Sequence, residues 1–147
     1  MGKKKKAPGE SFVLDCSVAV AWFFEDEADA YAEGVEDALA SATAIVPSLW
    51  PLEVGNALLV GERRKRASEA KVTQFLALLR ALPIAVDEET GARAWSAVLT
   101  MARQHNLSTY DAAYLELAVR RALPLATMDE RLKRAADAVG ARLYTSN

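Results

Sequence analysis

A chain of 147 residues, 52% apolar and carrying a net charge of −2, can build one packed core but is too short for a second catalytic domain. Its single cysteine, Cys16, excludes an intramolecular disulfide framework and a cysteine-rich zinc site, and its single histidine, His105, disfavours acid–base chemistry built on two histidines. The longest apolar run, Val18 to Phe24, falls far short of the roughly 20 residues of a membrane span, and no signal-peptide pattern is present, so a soluble cytoplasmic protein is expected.

Phe12-Val13-Leu14 is a short strand candidate, followed after Asp15 by a helical stretch through Phe24 and an amphipathic helix near Glu27 to Ser41. Ala44-Ile45-Val46 is a second strand. Pro47-Ser48 and Pro51 mark the start of a helix running toward Arg66, since proline is tolerated in a first turn. Another helix spans Ser68 to about Leu82, and Pro83 closes it before a third strand, Ile84-Ala85-Val86. Asp87 can cap a helix through His105 with Trp95, Val98, Leu99 and Ala102 on one side. A helix from Thr109 to Arg121, a strand at Leu125-Ala126-Thr127, a helix from Asp129 to Val139 and a last strand at Ala141 to Tyr144 complete the series. Strands alternating with helices predict one α/β domain over residues 12–147 with a mostly parallel sheet, preceded by a basic arm over residues 1–11.

The charges are segregated: acids dominate Glu25 to Asp37, whereas bases cluster at Arg63-Arg64-Lys65-Arg66, Arg120-Arg121 and Arg131-Leu132-Lys133-Arg134. Such runs contact phosphates, solvate helix faces or complement helix dipoles. The Lys3 to Lys6 tract lies in the arm and is either a contact for nucleic acid or a partner, or an appendage.

Four acids stand where elements change. Asp15 and Asp129 follow the first and fourth strand candidates, and in open parallel sheets the ligand lies outside the carboxyl ends of the strands. Glu53 and Asp111 open the helices after the second strand and before the fourth. Each acid taken singly could cap or electrostatically favour a helix start. Together they recur with hydroxyl or amide companions, Ser17, Asn56, Thr109 and Thr127, which capping does not require. Two carboxylates about 4 Å apart repel by about 4 kcal/mol at an effective dielectric of 20, so such a cluster needs protons or a cation. Hard oxygen ligands favour Mg²⁺ or Mn²⁺, whose remaining positions are taken by water or substrate phosphates.

These motifs resemble the PIN-domain ribonucleases and, within them, the small VapC-type toxins of toxin–antitoxin pairs. The resemblance runs from about Phe12 to Tyr144 through Val13-Leu14-Asp15-Cys16-Ser17-Val18, Pro51-Leu52-Glu53-Val54-Gly55-Asn56-Ala57-Leu58, Leu107-Ser108-Thr109-Tyr110-Asp111-Ala112-Ala113-Tyr114-Leu115 and Leu125-Ala126-Thr127-Met128-Asp129-Glu130-Arg131-Leu132. It implies a three-layer α/β/α fold with a five-stranded sheet. It also implies Asp15, Glu53, Asp111 and Asp129 as catalytic metal ligands for Mg²⁺ or Mn²⁺, and endonucleolytic cleavage of RNA. Ser17, Asn56, Thr109 and Thr127 would be supporting hydrogen-bond partners. A homodimer and a cognate antitoxin covering the active-site groove follow from the same likeness, with Trp22 and Leu58-Leu59-Val60 as candidate contact surfaces. The lysine-rich leader departs from the family pattern.

Cys16 is read as a buried thiol without chemistry, and Trp22-Phe23-Phe24 as a core or interface cluster rather than a base-stacking platform. Trp50 and Trp95 are read the same way. Tyr110 and Tyr114 flank the third acid as candidates for substrate contact or, for Tyr114, support of Asp111. The rival from another class is a noncatalytic PIN-like RNA-binding or protein-interaction module. A receiver-like phosphorylation domain fits poorly, because the lysine expected after a late strand is missing.

Overall fold

The computed structural model describes residues 9–146, so the lysines of the basic arm, Lys3 to Lys6, lie outside the described residues. Four parallel strands, β1 (Phe12–Leu14), β2 (Ala44–Pro47), β3 (Ile84–Asp87) and β4 (Leu125–Ala126), form a sheet in the order β3-β2-β1-β4. Helices α1 (Cys16–Phe23) and α2 (Ala30–Ala38) connect β1 to β2, and α3 (Trp50–Arg63) and α4 (Glu69–Ala81) connect β2 to β3. Between β3 and β4 come α5 (Thr90–Arg93), a π-helical turn (Ala94–Val98), α6 (Leu99–His105) and α7 (Thr109–Arg121), and α8 (Glu130–Ala138) follows β4.

The order has a mechanical consequence. The chain steps from β1 to β2 to β3 in one direction and then returns past β1 to β4. Right-handed crossovers therefore place α7 on the sheet face opposite the earlier connections. The point of reversal lies between β1 and β4, where a crevice opens at the carboxyl ends of the strands.

β1 is wholly buried, as are Leu125 and Ala126 of β4, which explains their unbroken apolar sequence. Tyr114, Leu115, Leu117 and Ala118 of α7 bury against this sheet. Local sequence sets several boundaries. Asp29 caps α2 by accepting from the Tyr31 and Ala32 amides, Ser68 caps α4 by accepting from Lys71, and Pro51 occupies the first turn of α3. Gly61 lets α3 pass close to Phe24, since a Cβ there would come within 2.6 Å of the ring.

Four sequence expectations need correction. The fifth strand shrinks to a single parallel bridge between Leu125 and Leu143, because β4 is only two residues long and has nothing further to pair with. The chain beyond the bridge packs by side chain instead, with Tyr144 stacked on Phe12 at 4.0 Å. Residues expected to begin an amphipathic helix at Glu27 form a short 3₁₀ turn, Glu25–Glu27, before α2 begins at Ala30. Trp95 does not share a side with Val98 and Ala102; it is 93% exposed. The π turn widens the helix there, so residues three apart no longer stand on one face.

Asp87 ends β3 rather than capping the next helix; it accepts from the Glu89 amide, and Arg120 grips both of its oxygens at 3.0 and 3.1 Å. Arg120 also reaches Glu116 at 2.8 Å and Glu89 at 2.7 Å. The Arg120-Arg121 run is thus an ion-paired staple between α7 and the end of β3. Arg66 is likewise occupied, pairing with Asp26 and Glu27 and covering the Phe24 ring at 4.2 Å. The Trp22-Phe23-Phe24 run packs inward: Phe24 is buried, Phe23 meets Phe75, and the Trp22 indole donates to the Ala32 carbonyl.

Candidate active site

Asp15 stands one residue past β1 and is 6% exposed. It occupies the cap position of α1, yet its side chain makes no capping bond. Its Oδ2 instead accepts from the hydroxyls of Ser17 and Thr127, each at 2.7 Å. Those hydroxyls are themselves held: Ser17 Oγ accepts from the Met128 amide at 3.1 Å and Thr127 Oγ1 from the Asp129 amide at 3.0 Å. One carboxylate oxygen therefore ties the end of β1 to the turn after β4, across the switch point of the sheet.

Asp129 does cap a helix, since its Oδ1 accepts from Leu132 N at 3.0 Å at the start of α8. Asp111 lies in the first turn of α7, where Ser108 is the capping residue and accepts from the Asp111 amide. Glu53 lies in the first turn of α3, and its Oε1 accepts from the hydroxyl of Tyr114 at 2.5 Å. Asn56 and Thr109 are exposed and make no side-chain hydrogen bond among the described residues. The set of companions thus divides into two that hold Asp15 and two that face solvent beside the acids.

The acids sense one another. Burial holds the Asp15 carboxyl above the usual range; its two hydroxyl donors oppose this and the charges of Asp111 and Asp129 add to it. Burial likewise raises Glu53, with Tyr114 opposing and Asp15 and Asp111 reinforcing. Asp111 is raised by burial and by Asp129, against the Ser108 hydroxyl and the Arg131 charge. Burial and the charges of Glu53 and Asp15 push the Cys16 thiol up to about 12, leaving it protonated at neutral pH and consistent with a packing role.

No three His, Cys, Asp or Glu side chains among the described residues are drawn into a ready-made ion cage. The donor chemistry nevertheless fits a hard divalent cation. Asp15, Glu53 and Asp129 each have one oxygen engaged by a protein donor and the other, Oδ1, Oε2 and Oδ2 respectively, without a protein hydrogen bond. The charges of Asp15, Asp111 and Asp129 raise neighbouring carboxyls of the set, and a hard divalent cation would offset that repulsion.

A protein-family comparison matches residues 12–138 to the PIN domain. The chain belongs to the PIN-domain family. It is 36% identical over 124 residues to ribonuclease VapC1 of Mycobacterium tuberculosis, in both strain CDC 1551 / Oshkosh and strain H37Rv, an alignment covering 75% of this chain and 91% of the relative. Among solved structures, PAE2754 from Pyrobaculum aerophilum is similar with a TM-score of 0.63 at 24% identity, covering 86% of each chain. VapBC2 from Rickettsia felis, bound to a DNA fragment from its promoter, is similar with a TM-score of 0.59 at 15% identity, covering 91% of this chain and 97% of that one. The PIN fold and the VapC-type family of this chain are thereby shown.

Within this PIN domain, Tyr114 supports Glu53 rather than Asp111, its own helix neighbour. Helical spacing carried no sign of that partner, because Glu53 lies 61 positions away. Glu116 was not singled out in the sequence, yet it is 3% exposed and paired with Arg120 and Arg93. Its one readable signal was an acid set four residues before Arg120 on a helix otherwise apolar on that side.

Proposed function

We propose that this chain is an endoribonuclease that hydrolyses RNA phosphodiester bonds with Mg²⁺ or Mn²⁺, acting as the toxin of a toxin–antitoxin pair. The observation that carries the proposal is the four-acid crevice at the switch point, in which Asp15 is buried, declines to cap its helix and is gripped by two hydroxyls. The likeness to ribonuclease VapC1 supports the same reading. A lone structural aspartate has no need of such an arrangement.

Asp15, Asp111 and Asp129 would hold the cation, with Glu53 as a further ligand or as the group that orients the attacking water. When bound, the cation supplies Lewis-acid activation of water and neutralises charge on the phosphoryl oxygens. Ser17 and Thr127 keep Asp15 in one rotamer, and Tyr114 does so for Glu53. Asn56, one turn beyond Glu53, and Thr109, beside Asp111, are exposed and would contact the substrate strand. An antitoxin covering this crevice and a second copy of the chain are the proposed protein partners. Of the surfaces named for partner contacts, Leu58 is buried in the core, Trp22 and Val60 are half-buried, and Leu59 is 40% exposed, so Leu59 is the most accessible of them. No helix among the described residues is long and apolar enough to cross a membrane.

The test is to incubate the purified chain with 5′-labelled structured RNAs in Mg²⁺ or Mn²⁺, beside chelator and Asp111→Asn controls prepared identically. The expected result is cleavage that needs both metal and Asp111 and leaves 5′-phosphate and 3′-hydroxyl ends. Binding without cleavage across the panel would replace the enzyme with a noncatalytic RNA-binding module, and equal cleavage by the Asp111→Asn chain would place the activity elsewhere.

A further inference from the structure

Arg66, Arg93, Arg120, Arg121 and Arg142 are each paired with a carboxylate. Among the described residues Arg131 and Arg134, like Arg63, Arg64, Arg80 and Arg103, are not, and these two alone share a cleft. On α8, Glu130 is engaged by Lys133 at 3.2 Å, and Asp137 pairs with neither arginine. Arg131, Arg134, Ala135 and Ala138 stand three, four and seven residues apart, so they form one face of α8. That face and the end of α6, His105 and Asn106, line a cleft of about 320 Å³. Both arginines are exposed, as is Ala138 at the far end of the same face.

The cleft adjoins the acids. Asp129 caps α8, Arg131 is the second residue of that helix, and its charge lowers the pKa of Asp111. A polyanion approaching four carboxylates is repelled unless cations beside them hold its neighbouring phosphates. Two guanidinium groups without ion pairs on one helix face, the first of them near enough for its charge to act on Asp111, meet that requirement, because their planar forks match phosphate oxygens.

We propose that the cleft between α6 and α8 seats a backbone phosphate of the RNA strand adjacent to the cleaved bond, held by Arg131 and Arg134 with the His105 ring alongside. This rests on the endoribonuclease reading above and adds to it the direction in which the strand leaves the acids, over α8.

The experiment is fluorescence anisotropy of a fluorescein-labelled single-stranded RNA with the full chain in chelator, titrated with KCl, beside cleavage of the same RNA in Mg²⁺. Each phosphate contact to a single strand contributes a slope of about −0.7 in log K against log salt. The Arg131→Gln/Arg134→Gln chain is expected to bind about 5-fold more weakly near 0.1 M KCl, with a slope shallower by about 0.7. Arg134→Lys should retain most of the slope, and Arg80→Gln, at the far end of α4, should leave it unchanged. Unfolding curves establish that the variants are folded. If the wild-type chain cleaves the RNA while the double variant keeps its affinity and slope, the cleft is not a phosphate seat and only this proposal falls. If the wild-type chain neither binds nor cleaves RNA, the endoribonuclease reading fails and takes the seat with it. Loss of binding to a polyglutamate peptide with RNA binding intact would overturn the RNA seat in favour of an acidic protein segment.

Discussion

The hydroxyl of Tyr114, buried on the second turn of α7, donates to Oε1 of Glu53 on the first turn of α3 at 2.5 Å, across 61 positions of sequence. The bond leaves Glu53 Oε2 without a protein partner and directs it toward the crevice shared with Asp15 and Asp111. Tyr114→Phe keeps the packing and removes only the donor. The expected loss is about 10–100-fold in RNA cleavage, as for groups that orient a ligand, with about 1 kcal/mol of stability because Glu53 is partly exposed. Cleavage rates and thermal unfolding of the same preparation check both; an unchanged rate would remove Glu53 orientation from the mechanism.

Asp15 depends on two hydroxyls that share one oxygen, at 2.7 Å each. Thr127→Val preserves shape but removes the donor to Asp15 and the acceptor of the Asp129 amide, so it should cost about 1–3 kcal/mol of stability and about 10–100-fold in cleavage. Ser17→Ala should be similar in kind. Because both act on Oδ2, the double variant should lose less than the product of the single effects, which a double-mutant cycle on cleavage rate measures.

Burial of the carboxyls, reinforced by their like charges, makes a stability prediction of unusual sign. A carboxyl whose folded pKa lies above its unfolded value binds its proton more tightly when folded. The metal-free chain should therefore lose stability as pH rises from about 4 through the raised values of Asp15, Glu53 and Asp111. Asp111→Asn should stabilise the metal-free chain at neutral pH by about 0.5–2 kcal/mol while abolishing cleavage. Added Mg²⁺ should raise the melting temperature of the wild-type chain more than that of the variant, since only a cation that binds the folded state gives such linkage. A melting temperature lowered by Asp111→Asn would contradict the electrostatic account.

The Arg120 staple behaves oppositely. Arg120 beside Asp87 holds that carboxyl below the usual range. Its contribution to stability is present above the unfolded value of about 3.9 and is lost as pH falls through the lower folded value. Asp87→Asn should cost about 2 kcal/mol at neutral pH, below the range for a fully buried pair because Glu116 and Glu89 still hold Arg120. The difference between variant and wild type should narrow in acid, as urea unfolding at several pH values would measure.

Local sequence determined the strands, most helix boundaries and the four acids of this protein. Apolar runs such as Phe12 to Leu14 and caps such as Ser68 and Asp129 depend on neighbours a few residues away, so they can be read without a fold. The alternation of elements then dictated a parallel sheet, and placed Asp15 and Asp129 at the ends of its strands. What the sequence could not decide is pairing at a distance. Arg120 read as part of a basic patch until the fold brought Asp87 to it, Tyr114 read as a neighbour of Asp111 until α3 brought Glu53, and Trp95 read as core until the π turn rotated it outward. Arg131 and Arg134 differ from the Arg120-Arg121 run because the fold gave that run carboxylates and left these two facing a cleft. Charge sign and helical phase are written along the chain, but which charges meet depends on the crossover of α7 and the order of the strands, and these are properties of the packed whole.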